Sequence, residues 1–187
     1  MTPTRPIHAR AFARREALRL GGAVLGTVLV GRPAAARIRT SARSLNLYAI
    51  NTGERLRAEY VSGGRYQRDA LAALSHLLRD HRTGDVHPID PALLDAVHLL
   101  ARNLETSHPI HVVCGYRSPE TNRRKLAAGR RVARNSYHLT GRAIDLAVPG
   151  RSVAGVRRAA VALRLGGVGY YPRSGFVHVD TGPVRAW

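Results

Sequence analysis

Cysteine occurs once in the 187 residues, at Cys114. No internal disulfide can form, and the absence of any CxxC pair excludes a thiolate-rich structural zinc site. Aromatic residues make up only 5% of the chain. No stretch interleaves them with basic residues, as proteins that stack nucleic-acid bases do, so no nucleic-acid partner is expected. Acidic residues are few: 12 Asp+Glu stand against 30 Lys+Arg, for a net charge of +18. Partners are therefore expected among anionic polymers. Long apolar runs are also missing. The run Leu20–Val30 is eleven residues, too short to cross a bilayer of about 30 Å as a helix. The 44% hydrophobic content suits one globular domain with a real core.

That apolar run is preceded by the adjacent Arg14 and Arg15 and followed by Ala34-Ala35-Ala36. Basic, apolar and small residues in this order resemble a twin-arginine export signal over residues 1–36. Removing it takes away six basic residues and one acidic residue, leaving +13 on the mature part. Export would place the chain in the periplasm, without stable membrane insertion, among the anionic polymers of the envelope. Residues 37–43 read as a basic linker, and 44–187 as the working domain.

Within it, "LNLYAI-NTGE-RLRAEYV" reads as a β-hairpin turning at Asn51-Thr52-Gly53. "YQRDALAALSHLLRDHR" places Leu71, Leu74, Leu77 and Leu78 at helical spacing, with Gly84 as the expected stop. Asp90-Pro91 and Ser118-Pro119 look like helix starts, a capping side chain followed by proline at the first position. "PIHVVCGY", residues 143–148 and Phe176–Asp180 read as strands, and "SVAGVRRAAVAL" as a helix. Strands and helices do not alternate strictly, which predicts an α+β fold with a mostly antiparallel sheet and flanking helices. Cys114 falls in an apolar strand and reads as a small core residue.

The informative stretch is "SYHLTGRAIDLAV". Asp145 lies in an apolar run, where an unpaired carboxylate would be costly to bury. His138 is seven positions earlier, and Gly141 between them permits a sharp bend. "FVHVD" supplies His178. Two histidines and one carboxylate, with water in a fourth position, suit a catalytic Zn²⁺ site. A hydrogen-bonded Asp–His pair in the core is the other reading. Asp180 is two residues beyond His178, so strand alternation puts both on one face. It is either the general base or the partner that orients His178. Arg117, in "GYRS", has a fork suited to a substrate carboxylate. Tyr171 and Arg173, just before the last candidate ligand, are candidates for the cleft wall. His76, His81, His87, His98, His108 and His111 match no ligand spacing.

"SYHLTGRAID" with the later "FVHVDTG" resembles the M15-type zinc peptidases, the group that includes D-Ala-D-Ala peptidases and the Hedgehog zinc fold. "CGYRSPETN", "GGVGYYPRSGFVHVDTGPVRAW" and "INTGE" are similar, more narrowly, to the exported murein endopeptidase K group. The resemblance runs from about Leu45 to Trp187. It implies zinc held by His138, Asp145 and His178, and peptidoglycan crosslinks as the substrate, cut at D-Ala or L,D bonds to meso-diaminopimelate. One departure stands out. Many such peptidases place a His or Glu base two or three residues before the last ligand, where this chain has Phe176 and Gly175.

The expected activity is thus a zinc-dependent murein endopeptidase. Two other activities fit the same residues: a D-alanyl-D-alanine carboxypeptidase, or a non-catalytic wall-binding module that keeps zinc for structure. A cysteine hydrolase built on Cys114 would need an adjacent base and solvent access, of which the apolar strand gives little sign.

Overall fold

A computed structural model describes residues 42–130 and 132–187. The twin-arginine segment and residues 37–41 of the linker lie outside the described residues. Eight strands form one sheet: β1 Arg43–Ala49, β2 Arg55–Ser62, β3 Arg65–Tyr66, β4 Ile110–Cys114, β5 Ala143–Ala147, β6 Gly167–Tyr171, β7 Phe176–Asp180 and β8 Arg185–Ala186. Their order across the sheet is β3-β2-β1-β4-β5-β7-β6-β8. Only the β1–β4 and β6–β8 pairs are parallel. The fold is α+β with a mostly antiparallel sheet, as the sequence suggests.

Among the described residues four helices accompany it: α1 Arg68–Leu77, α2 Pro91–Asn103, α3 Pro119–Ala127 and α4 Val153–Leu163. α1 packs on β2, α2 on β1, and α4 on β6 and β7. The two capping readings hold. Asp90 accepts a hydrogen bond from the Ala92 amide, and Ser118 from the Thr121 amide, each with proline at the first helical position. Strand alternation does the rest. In β1, Leu45, Leu47 and Ala49 point inward and are nearly inaccessible. They meet Leu74, Leu93 and Leu94 of the helices in one apolar cluster. Each such fully buried Leu contributes about 1.5–3 kcal/mol relative to an exposed one.

α1 ends earlier than its apolar spacing predicts, at Leu77 rather than near Gly84. The Leu78 carbonyl accepts a hydrogen bond from the Tyr116 amide at 2.7 Å. The backbone after α1 is thereby tied to the loop that follows β4. Buried Asp80 fastens the same junction, accepting from the Ser118 amide at 2.8 Å and the Arg82 amide at 2.9 Å. This junction carries Arg117.

Candidate metal centre and substrate cleft

Ile144 and Leu146 of β5 belong to the apolar cluster under the helices, so Asp145 between them emerges on the other face of the sheet. Across the sheet Asp145 is opposite His178 of β7, and His178 is opposite Gly169 of β6. On the other side Asp145 is opposite Cys114 of β4. Four neighbouring strands therefore contribute one lateral row: Cys114, Asp145, His178, Gly169.

Cys114 corrects the core assignment made from the sequence. Val112 is in the apolar cluster and pairs with Leu146, so plain alternation would return Cys114 to the same face. The register shifts between Val112 and Cys114. One extra residue on β4 turns the thiol to the face of Asp145, as β-bulges do. Cys114 is partly exposed, and its sulfur lies within 4.8 Å of donor atoms of His138 and Asp145. Burial pushes the thiol pKa up, but the charge and hydrogen bond of His138, together with the Arg117 charge, outweigh it, and the net direction is down.

His138 arrives from outside the sheet, on a short 3-10 turn, Tyr137–Thr140. Gly141 closes the turn at φ +66°, a left-handed conformation, and a Cβ there would overlap the Pro88 carbonyl. The bend brings His138 Nε2 to 3.2 Å from His178 Nδ1 and 3.3 Å from Asp145 Oδ1. His178 Nδ1 is 2.8 Å from the same carboxylate oxygen.

The outer ring nitrogens decide the character of this triangle. His138 Nδ1 faces the Gly115 carbonyl at 2.7 Å, and His178 Nε2 faces Asp180 Oδ2 at 3.0 Å. Both partners only accept, so both outer nitrogens donate. The inner nitrogens then present lone pairs to each other and to a carboxylate oxygen, which requires a cation among the three. A proton can serve: burial pushes both histidines down, but Asp145 outweighs it for His138, and hydrogen bonds to Asp145 and Asp180 for His178, so both are raised. A divalent metal fits as well. Bonds of about 2.0–2.2 Å at tetrahedral angles separate donors by about 3.3–3.6 Å; the two spacings from His138 are near the lower end of that range, and the His178–Asp145 spacing is shorter. The Asp145 carboxyl, raised by burial, is held well below the usual range by the two histidines.

Asp180 shares its strand face with His178, as alternation predicts, but meets the ring on the side away from Asp145. It is 1% exposed, and both its oxygens are engaged. Oδ1 accepts from the Gly182 amide at 2.8 Å and the Gly167 amide at 3.2 Å, and Oδ2 from Arg185 at 2.7 Å. The backbone encloses it. A Cβ on Gly166 would overlap the Asp180 carbonyl oxygen, and one on Gly167 would sit 2.6 Å from Oδ2.

A cavity of about 360 Å³ opens over the row and includes His138, Asp145 and His178 in its lining. Arg117 reaches it from the loop after β4. Arg117 is buried, with exposure of 6%, and its Nε has no hydrogen-bond partner. Nη1 is 3.4 Å from Asn122 Oδ1 and Nη2 is 3.7 Å from the Cys114 sulfur. Tyr171 lines the cavity, stacked on Phe176 at 4.7 Å. Arg173 is exposed and outside the lining. His81, Lys125 and Trp187 line it without any sequence signal. The Trp187 ring is 5.5 Å from that of His178, over the space left by Gly169, where a Cβ would be 2.8 Å from it.

A family model described as Peptidoglycan L,D-endopeptidase MepK matches residues 37–187. The chain belongs to this family. It is a family of M15 peptidases, hydrolases that are metal-dependent, and the three converging donors agree with that. Among relatives, the peptidoglycan L,D-endopeptidase MepK of Escherichia coli is 44% identical over 175 residues, covering 93% of this chain and 96% of the relative. The Shigella flexneri protein of the same name has the same identity and coverage. A probable peptidoglycan L,D-endopeptidase MepK from Haemophilus influenzae is 43% identical over 176 residues, covering 93% and 95%. Among the described residues no helix is long and apolar enough to cross a membrane.

Proposed function

We propose that this protein is a zinc-dependent peptidoglycan endopeptidase of the periplasm, exported by the twin-arginine route, that hydrolyses peptide crosslinks at L,D bonds. The observation that carries the reading is the convergence of His138 Nε2, His178 Nδ1 and Asp145 Oδ1, 2.8–3.3 Å apart, with both outer ring nitrogens already committed. These three residues would hold the ion. When bound, it supplies Lewis acidity: a bound water with pKa near 7 and a polarised scissile carbonyl.

The remaining roles belong to the chain. Gly115 and Asp180 keep the histidines in the tautomers that present lone pairs inward. Asp180 is an orienting partner and not the base, because its oxygens are consumed behind His178. Arg117, buried without a carboxylate partner among the described residues, binds a carboxylate of the peptide stem. Its planar fork presents two parallel donors for that purpose. Tyr171 and Phe176 form an apolar wall for the stem.

Incubating purified protein with murein sacculi, with and without chelator, tests this. The expected result is release of uncrosslinked muropeptides, identified by mass spectrometry, lost with chelator and restored by Zn²⁺. Release of single D-alanine residues with crosslinks intact would instead indicate a carboxypeptidase, and no release at all a wall-binding module.

A further inference from the structure

Three cationic side chains line one wall of the cavity: Arg117, Lys125 and Arg82. Their origins differ. Arg117 follows β4, Lys125 is in the last turn of α3, and Arg82 is in the loop that Asp80 fastens to the start of α3. Such a cluster ordinarily draws in acidic side chains. Here the acids that line the cavity, Asp145 and Asp180, are committed elsewhere, as are Glu120 and Asp80. Glu120, the one acid of α3, pairs with Arg124. Asp80 is spent on backbone amides, and Asp145 and Asp180 on the histidines. No ion pair joins Arg117, Lys125 or Arg82 to any acid among the described residues.

The cations also act on one another. Lys125 is half-buried. Burial, then Arg117 and Arg82, disfavour its charge. Three like charges gathered over a cavity, with Arg117 buried, Lys125 half-buried and Arg82 exposed, repel one another, and an entering anion would relieve that repulsion. One carboxylate on Arg117 leaves the other two unmatched.

We propose that Lys125 and Arg82 form a second anion subsite beside Arg117, so that the cleft selects stem peptides bearing two free carboxylates over stems in which one is amidated. This rests on the peptidase reading above and names the substrate class within it. The site would read the amidation state of the diaminopimelate side of the crosslink.

Two measurements test it separately. Lys125 is the only lysine in the chain, so acylation of the protein by an amine-reactive ester, located by mass spectrometry, reports on this side chain alone apart from the N-terminus. Tricarballylate, a compact tricarboxylate, should slow Lys125 acylation severalfold relative to sodium chloride of equal ionic strength. Equal labelling in the two would overturn the subsite. The second measurement compares crosslinked muropeptides with free and amidated diaminopimelate carboxylates. The protein should prefer the free form by about tenfold in kcat/KM, and Lys125→Met with Arg82→Gln should bring the ratio near one. A ratio unchanged in the double variant would overturn the proposal. Hydrolysis of neither muropeptide would count against the peptidase reading, and the acylation result would then decide the subsite independently.

Discussion

Asp180→Asn separates an orienting carboxylate from a catalytic one. The substitution nearly preserves shape but exchanges one acceptor for a donor. Asn keeps one oxygen, which can still take the Gly182 amide, at 2.8 Å from Oδ1 in the native chain. The new amide nitrogen would then stand where Oδ2 now faces His178 Nε2 at 3.0 Å and Arg185 at 2.7 Å. Facing a donor, His178 is driven to the tautomer with Nε2 bare and its proton on Nδ1. Nδ1 is the atom that faces Asp145 and His138, so the ring stops presenting a lone pair to the metal. Loss of such an outer partner weakens metal binding by about 10- to 100-fold, or about 1.4–2.7 kcal/mol. Competition against a chromogenic zinc chelator measures the affinity. Turnover at saturating zinc should recover most of the native rate. Stability should respond as well. The Asp180 carboxyl is raised by burial but held well below the usual range by its hydrogen bonds to His178, Gly182 and Arg185. A depressed folded pKa contributes stability above the unfolded value of about 3.9 and loses it as pH falls toward the folded value. The gap in Tm between native protein and variant should therefore be full at pH 6 and shrink below about pH 4. Native zinc affinity with kcat reduced 10²- to 10⁴-fold, the usual share of acid–base catalysis, would refute this reasoning and restore Asp180 as the base.

Arg117→Lys should lower kcat/KM on crosslinked muropeptides by at least tenfold with zinc content unchanged, because lysine has no bidentate fork; an unchanged rate would remove Arg117 from the binding site. Zinc binding at pH 7 should release protons, since Asp145 raises His138 to about 10 in the metal-free protein, against burial, and that ring must lose its inner proton to bind metal; calorimetry in buffers of different ionisation enthalpy should give different apparent enthalpies, and identical values would contradict it. Replacing Arg14 and Arg15 with Lys should leave precursor in the cytoplasm, read by fractionation; normal delivery to the envelope would reject the twin-arginine route.

What was legible in the sequence was local. Asp90-Pro91 and Ser118-Pro119 announce helix starts because capping chemistry is complete within four residues. His178 and Asp180 share a face because strand alternation spans only two. What escaped depends on register. Nothing in "IHVVCGY" shows that β4 bulges before Cys114, so alternation places the thiol in the core when it stands beside Asp145. β6 was unread because "GGVGYY" is glycine-rich, and glycine carries little strand propensity. The glycines are needed in that strand because a side chain at Gly167 or Gly169 would strike Arg185, Asp180 or Trp187. The early end of α1 was hidden for the same kind of reason. Its competing hydrogen bond comes from Tyr116, 38 positions away from Leu78.

The tight seat of Asp180 has a consequence for how this enzyme could change over generations. Gly166 and Gly167 admit no side chain without displacing the backbone or carboxylate that aims His178, and Gly141 is confined in the same way by Pro88. The side of the cleft that seats His138 and His178 is therefore closed to gradual variation at these glycines. The wall that carries Lys125 and Arg82 is built from the tips of long side chains on α3 and its neighbouring loop, where a charge can be traded without moving any backbone. Selection acting on this chain would find its working room on that wall, so that preference for one crosslink chemistry over another could drift while the hydrolytic step stayed fixed.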